Sequence, residues 1–259
     1  MRLWIAASAT FFAYVVACAA LVSGLAPRRR ARVVTLSGAG LVLCAGGHLL
    51  PHEPLLHQWI LPPVLLLLGY WTSGLLFVAP MPAAERLLEA IDRAVGVDHV
   101  AAVMPRWSAE LMEAAYLSIY PLIGLGFAAH LLGSTAPDSD RFWNVILITD
   151  FICFACLPWV QTRPPRALLN GGPWRARLRR LNLWLLGRVS IKVNTFPSGH
   201  AAEACVLALL LADLSWPLAG GMAVAAVLVS AGAALGRYHY AADVLAGWSV
   251  ALAVWLTLG

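Results

Sequence analysis

Charged residues are scarce in this chain, and their scarcity excludes an ordinary soluble domain. Only 12% of the 259 residues are Asp, Glu, Lys or Arg, whereas 61% are hydrophobic. Soluble domains carry roughly 25% charged and 45–50% apolar residues. The apolar residues here form runs long enough to cross a bilayer as helices, which takes about 20 residues each. The sequence therefore predicts an all-α integral membrane protein.

Eight apolar runs are candidate membrane helices. They cover residues 3–26, 33–50, 57–79, 108–132, 142–160, 200–214, 216–236 and 240–258. The run at 200–214 is short for a crossing, so a count of seven is an open alternative. The first run is too long for a signal peptide and precedes an arginine cluster, which favours a retained span. Between the third and fourth runs, residues 82–106 have the pattern of an amphipathic helix on the membrane surface.

The basic residues are distributed unequally between the two faces of the membrane. With alternating spans, Arg2 and Arg141 fall on one side and the other sixteen Lys and Arg residues on the opposite side. The positive-inside rule makes the richer side cytoplasmic. We expect a bacterial inner (plasma) membrane protein that contacts anionic lipid headgroups, and we expect no nucleic-acid partner for its net charge of +5. The oligomeric state is left open.

Acidic residues are missing altogether from residues 151–202. The basic residues of this stretch are Arg163, Arg166, Arg175, Arg177, Arg179, Arg180, Arg188 and Lys192. The spacing of those at 175–188 favours a basic surface helix on anionic lipid over an anion clamp. Arg163 differs because it follows the fifth span within Thr162-Arg163-Pro164-Pro165-Arg166, where the prolines fix the backbone. An arginine held at the membrane surface is suited to gripping a phosphate.

The tetrapeptide Pro197-Ser198-Gly199-His200 predicts a tight turn that opens a helix. Serine is a favoured helix N-cap, and glycine lets the backbone approach a ligand closely. The amides of a helix N-terminus form an anion site, so Ser198 and Gly199 are candidate phosphate ligands. His200 then lies in the first turn, where it can face the leaving-group oxygen of a bound phosphate ester. The alternative is an ordinary capped helix start with an interfacial histidine.

A second histidine, His239, precedes Asp243 by four residues, which places both side chains on one helix face. The carboxylate holds one imidazole nitrogen as N–H and leaves the other free as a nucleophile or base. Arg237 is a candidate second phosphate ligand. The alternative is a buried histidine that pairs with the carboxylate only to satisfy its hydrogen-bonding groups. Asp150 and His130, in or near spans, are candidates for a proton path or for burial beside a local partner.

Three ordered motifs, Arg163-Pro164, Pro197-Ser198-Gly199-His200 and His239-x-x-x-Asp243, resemble those of the type 2 phosphatidic acid phosphatase superfamily. The resemblance covers about 107–259. It implies a helical membrane bundle that needs no metal or other cofactor. It also implies that His239 becomes a phosphohistidine, Asp243 orients it, and His200 protonates the departing alcohol. Arg163, Ser198 and Gly199 are then the phosphate ligands.

Two positions depart from the family pattern. Cys156 stands where the first motif carries a lysine, and Ala233 stands where the third motif carries an arginine. Arg237 lies one helical turn from Ala233 and is a substitute for the missing arginine, while Lys192 or Arg166 is a substitute for the lysine.

The sequence leaves three functions open. The first is a lipid-phosphate phosphatase acting on a membrane lipid. The second is a headgroup phosphotransferase, because His239-Tyr240-x-x-Asp243 also resembles the inositol phosphorylceramide and sphingomyelin synthase branch. The third is a non-catalytic transporter or lipid-binding protein. We expect residues 1–56 to be accessory helices and 57–259 to be a six-helix catalytic core.

Overall fold

Helices make up almost all of the regular structure of the chain. The computed structural model describes residues 2–135, 137–168, 172–212 and 214–259. Over these ranges it has eleven α-helices and no strand, which confirms the predicted fold class. The helices are α1 Leu3–Leu21, α2 Pro27–Leu49, α3 Leu61–Gly74, α4 Pro82–Ala94, α5 Val97–Val103, α6 Arg106–Gly133, α7 Ser139–Ala155, α8 Leu178–Val189, α9 Gly199–Ala212, α10 Trp216–Leu235 and α11 Ala241–Leu258.

Five of these helices, α1, α2, α6, α10 and α11, are long and apolar enough to cross a membrane, so the protein is an integral membrane protein. Helix α9 is apolar but has only 14 residues. Helix α7 has 17 residues, and α3 has 14 but continues a π-helical turn at Leu55–Ile60. The count of eight spans therefore stays a prediction.

Two helix boundaries differ from those expected. Helix α2 begins at Pro27 and not at residue 33, so the arginine cluster lies in its first turns. Proline is favoured at the first helical position, where its missing N–H costs nothing. The amphipathic stretch 82–106 is two helices, because Gly96 takes a left-handed conformation (φ +73°) that ends α4 and starts α5.

Helix α9 is the centre of the bundle, in contact with α6, α7, α10 and α11. Its small residues Ala201, Ala202 and Ala204 are fully buried, which allows this close packing. Helices α1 and α3 also pack on α7, and α2 packs on α1 and α3. The rings of Phe11 and Phe151 stack there at 4.4 Å, so the two groups of helices share one apolar core. The division at residue 56 stays a prediction.

One end of the bundle gathers the segments that carry the motifs. The C-terminal ends of α7 and α10 and the N-terminal ends of α9 and α11 all lie there. Three further helices pack at this end, α4 against α11, α5 against α10 and α8 against α6. Arg2 and Asp140 form an ion pair of 3.1 Å at the other end, where α1 and α7 begin.

Candidate active site

The turn at Pro197–His200, here the second-motif turn, caps α9 as the sequence predicts. The Ser198 hydroxyl accepts the Ala201 N–H at 3.4 Å, and its carbonyl accepts the Ala202 N–H at 3.1 Å. A Cβ at Gly199 would lie 3.2 Å from an oxygen of Asp150, so glycine is what lets α7 approach this turn. The first-turn amides of Gly199 and His200 have no intrahelical partner by position.

The loop 236–240, here the third-motif loop, joins α10 to α11 and carries His239. The Ala233 carbonyl accepts the N–H groups of both Tyr238 and His239 at 2.9 Å. These bonds hold Arg237 in a left-handed conformation with φ +61°. A carboxylate oxygen of Asp243 accepts the Tyr240 N–H at 2.9 Å and closes a capping box at the start of α11. The loop that presents His239 is therefore fixed from both sides.

The two predicted catalytic histidines lie side by side. The His200 and His239 ring centroids are 6.3 Å apart. His239 Nδ1 is 3.4 Å from Asp243 Oδ2, so the predicted pair is present. His239 lies in the loop before α11 and not on the helix face that the four-residue spacing predicts, because α11 begins at Ala241. The second-motif turn and α11 are joined directly, because the Ser198 N–H donates to the Asp243 main-chain carbonyl at 2.9 Å.

The environment of His239 keeps its imidazole neutral at neutral pH. Burial lowers its pKa from the ordinary value of 6.5, and the charges of His200 and Arg166 lower it further. The Asp243 carboxylate opposes this effect without overcoming it. Because Nδ1 faces the carboxylate, the other nitrogen, Nε2, carries the free lone pair. A neutral imidazole oriented in this way has the properties of a nucleophile.

Arg166 is the predicted phosphate-binding arginine whose charge acts on His239. Its backbone N–H donates to the Arg237 carbonyl at 2.9 Å, and its guanidinium donates to the Tyr238 carbonyl at 3.1 Å. The same guanidinium lies 5.4 Å from the centre of the Tyr238 ring. In the part of the chain that the structure describes, no carboxylate pairs with Arg166. Its positive charge is therefore available beside His239.

Arg163 is held by a carboxylate from the surface helix α4. Its Nε and a terminal nitrogen donate to the two oxygens of Glu85 at 3.0 and 2.8 Å. Its backbone N–H also donates to Glu85, at 2.8 Å. The Arg163 hydrogen bonds lower the pKa of Glu85, so this carboxylate stays ionised. The predicted phosphate-binding role of Arg163 thus requires Glu85 to be displaced or shared.

Arg237 is buried and paired in a similar way. Its terminal nitrogens bind Asp92 of α4 and Asp98 of α5. Asp92 also accepts the Ala241 N–H at 2.8 Å, and so ties α4 to the start of α11. The substitution of Arg237 for the family arginine stays a prediction, since both carboxylates would have to release it.

Three further positions singled out in the sequence are Lys192, Ala233 and Cys156. The Lys192 side chain is exposed, and its backbone (φ +62°) donates to the Ser190 hydroxyl at 3.1 Å. Ala233, which replaces the family arginine, is fully buried and supplies the carbonyl that fixes His239. Cys156, which replaces the family lysine, is half-buried at the end of α7.

Sequence reasoning missed a buried acid, Glu113 of α6, that braces the third-motif loop. Its carboxylate accepts the Tyr238 hydroxyl at 2.5 Å and the Asn182 amide at 2.6 Å. It also accepts Trp174 Nε1 at 2.9 Å and an Arg179 nitrogen at 3.1 Å. An acid within a predicted span was the available signal, because ionisable residues are costly in lipid and need partners.

The fold and the site together define a class: an all-helical membrane protein with two histidines and an aspartate at one end of the bundle. The family model of the PAP2 superfamily matches residues 86–257. The chain belongs to the PAP2 superfamily, whose members are phosphatases. The match begins within α4, so α1, α2 and α3 lie outside it. No curated protein and no solved structure matches the chain.

Proposed function

We propose that this protein is a lipid-phosphate phosphatase that works through a phosphohistidine at His239. The observation that carries the proposal is the placement of two imidazoles, one oriented by a carboxylate, with ring centres 6.3 Å apart. A phosphoryl group between the rings would have a nucleophile on one side and an acid on the other. The membership in a phosphatase superfamily supports the same reaction class.

In the first step, His239 Nε2 attacks phosphorus and an N–P bond forms. The bond from phosphorus to the lipid oxygen breaks, and His200 gives its proton to that oxygen, which leaves as an alcohol. Negative charge on the equatorial oxygens is stabilised by Arg166 and by the first-turn amides of α9. Asp243 stabilises the charge that develops on His239.

In the second step, water attacks the phosphohistidine. His200, now neutral, takes a proton from the water as the O–P bond forms, and the N–P bond breaks. Inorganic phosphate leaves, and both histidines return to their starting states. The net reaction converts a phosphate ester and water into an alcohol and phosphate. General acid–base assistance of this kind typically contributes about 10²–10⁴-fold.

The surroundings of the site support a substrate held by the membrane. The histidines lie at an end of helices that are apolar enough to span a bilayer. Near them, α8 exposes Leu181, Leu183 and Trp184, and the Arg188 guanidinium lies 3.9 Å from the Trp184 ring centre. A helix with exposed apolar and arginine side chains suits an anionic lipid surface. We propose that this surface faces the cytoplasm, on the strength of the charge bias.

The proposal is tested with purified wild type and His239→Ala on a panel of phosphate monoesters with lipid tails. Phosphatidic acid, a polyprenyl phosphate and a sphingoid-base phosphate cover the main tail types. Phosphate release by the wild type that is lost in His239→Ala supports the proposal. Equal release by both proteins discards the catalytic assignment. Binding without turnover by the wild type favours the transporter or lipid-binding alternative.

The second candidate is headgroup transfer to an alcohol, which the His239-Tyr240-x-x-Asp243 pattern favours. The first step is the same, and an acceptor hydroxyl replaces water in the second. Adding diacylglycerol or an N-acylated sphingoid base to the assay separates the two. A phosphatase yields inorganic phosphate at an unchanged rate, whereas a transferase forms a new phosphorylated lipid at the expense of phosphate.

A further inference from the structure

His200 has a carboxylate partner of its own, Glu203, one turn further along α9. Glu203 Oε2 lies 3.6 Å from His200 Nδ1, within ion-pair range though longer than a hydrogen bond. The Glu203 side chain is 10% exposed and the His200 side chain is 22% exposed. His239 and Asp243 show the same arrangement, with Nδ1 3.4 Å from the carboxylate. Each histidine therefore has Nδ1 within ion-pair range of an acid, and Nε2 is its other ring nitrogen.

A second acid, Asp150 of α7, lies behind this pair. It is fully buried, and among the described residues neither of its oxygens has a hydrogen-bond partner. One oxygen lies against Gly199, at 3.2 Å from where a Cβ would stand. The acid that acts on Asp150 electrostatically is Glu203.

Two neighbouring carboxyl groups in a dry environment do not both ionise, so one of them holds a proton. Asp150 is fully buried, and in the described part of the chain no Lys, Arg or His side chain pairs with it, whereas Glu203 lies within ion-pair range of His200. Asp150 is therefore the member of the pair that is costlier to ionise.

We propose that Glu203 is the positioning residue of the general acid, and that Asp150 carries the proton of the acid pair. Glu203 accepts the Nδ1–H of His200 and so directs the proton on Nε2 to the leaving oxygen. After that proton has moved to the alcohol, Glu203 still holds Nδ1–H, and Nε2 is free to take a proton from water. The inference rests on the proposed phosphatase reaction and adds a residue to its proton transfer.

Other titratable and charged groups also surround His200. Tyr116 and Tyr120 of α6 lie 5.4 and 5.8 Å from its ring, and His239 lies 6.3 Å away. Tyr70 of α3 and Arg166 act electrostatically on the same cluster. Of all these groups, Glu203 is the acid that faces Nδ1.

The leaving group provides the test, because an aryl oxide departs without a proton and an alkoxide does not. Two substrates with the same tail are compared, an alkyl phosphate and an aryl phosphate. For Glu203→Gln we expect kcat/KM, which reports the steps up to departure of the leaving group, to fall about 10–100-fold on the alkyl phosphate and to change little on the aryl phosphate.

Glu53→Gln is the matched control, because Glu53 is exposed and lies before α3, at the other end of the bundle. It should leave both rates at wild-type values. Activity on the aryl phosphate also reports whether Glu203→Gln is folded. The infrared spectrum of the wild type should contain a protonated carboxyl band that the spectrum of Asp150→Asn lacks.

The outcomes separate the inference from the function on which it rests. Equal loss of kcat/KM on the alkyl and aryl phosphates in Glu203→Gln gives Glu203 a merely structural role and overturns the inference alone. An Asp150→Asn spectrum identical to that of the wild type overturns the assignment of the proton. A wild type that hydrolyses neither substrate overturns the proposed function, and the inference with it.

Discussion

The backbone N–H of Ser198 donates a 2.9 Å hydrogen bond to the main-chain carbonyl of Asp243. This bond joins the start of α9 to the first turn of α11, and so ties the helix that carries His200 to the residue whose carboxylate lies beside His239. Gly247 lies one turn further along α11 and makes the approach possible. A Cβ there would lie 2.5 Å from the Ser198 carbonyl oxygen, well inside van der Waals contact.

Gly247→Ala should therefore push α11 away from the second-motif turn. We expect the free energy of unfolding to fall by about 1–3 kcal/mol, as in other overpacked cores, and phosphatase activity to fall with it. Gly220→Ala is the control, since a Cβ at Gly220 of α10 meets nothing within 4 Å. Thermal unfolding in detergent and turnover measure the two effects. A fully active, stable Gly247→Ala protein would contradict the close approach.

The surface helix α4 should be essential to the order of the third-motif loop. Asp92 is buried, pairs with Arg237 and accepts the Ala241 N–H, so Asp92→Ala leaves a buried arginine without one of its carboxylates. Removing one partner of a buried ion pair typically costs about 3–5 kcal/mol. Glu89→Ala on the same helix is the control, because its pair with Arg93 is long, at 3.9 Å, and exposed. Hydrogen exchange at residues 236–243 should rise in the first variant and not in the second.

Arg166 and Arg163 should differ in their effect on catalysis. Arg166→Gln removes the cation beside His239 that has no carboxylate partner, and we expect kcat/KM to fall about 10–100-fold, the value of a charged hydrogen bond. Arg163→Gln should have a smaller effect, because Glu85 already occupies that guanidinium. Steady-state kinetics on one lipid phosphate compare them directly. A larger loss for Arg163→Gln would show that Glu85 releases Arg163 to the substrate.

Asp243→Asn should alter both the rate and its pH dependence. Asp243 raises the pKa of His239 against the larger effect of burial, so its neutral substitute lets that pKa fall further. The nucleophile must be neutral, and activity is lost as pH falls through the pKa of His239. The acid limb of kcat/KM should therefore move to lower pH, while the rate drops on the order of 10²-fold or more because the imidazole loses its orienter. An acid limb that moves to higher pH would contradict this assignment.

Local sequence features predicted the elements that carry the site. Ser198 caps α9 because its hydroxyl accepts the Ala201 N–H, as the tetrapeptide predicts. His239 lies beside Asp243 as predicted, but it does so from the loop before α11 and not from one helix face. The second predicted run begins at residue 33, six residues after the start of α2. Pro27 is a usable signal for the first helical position.

The ion pairs of the surface helix were beyond sequence reasoning. Glu85 meets Arg163 across 78 positions of the chain, and Asp92 meets Arg237 across 145. An amphipathic pattern shows that α4 has a polar face, but it does not show which cations that face meets. Acids within predicted apolar runs, such as Glu113 and Glu203, were a clearer signal, because lipid makes an unpartnered acid costly.

Trapping of the phosphoenzyme tests the central claim most directly. The wild type is mixed with a lipid carrying a radiolabelled phosphate, quenched in base, and mapped by mass spectrometry. The account predicts a label that is stable in base, labile in acid, attached to His239 and absent from His239→Asn. A label on any other residue, or full turnover by His239→Asn, would contradict it.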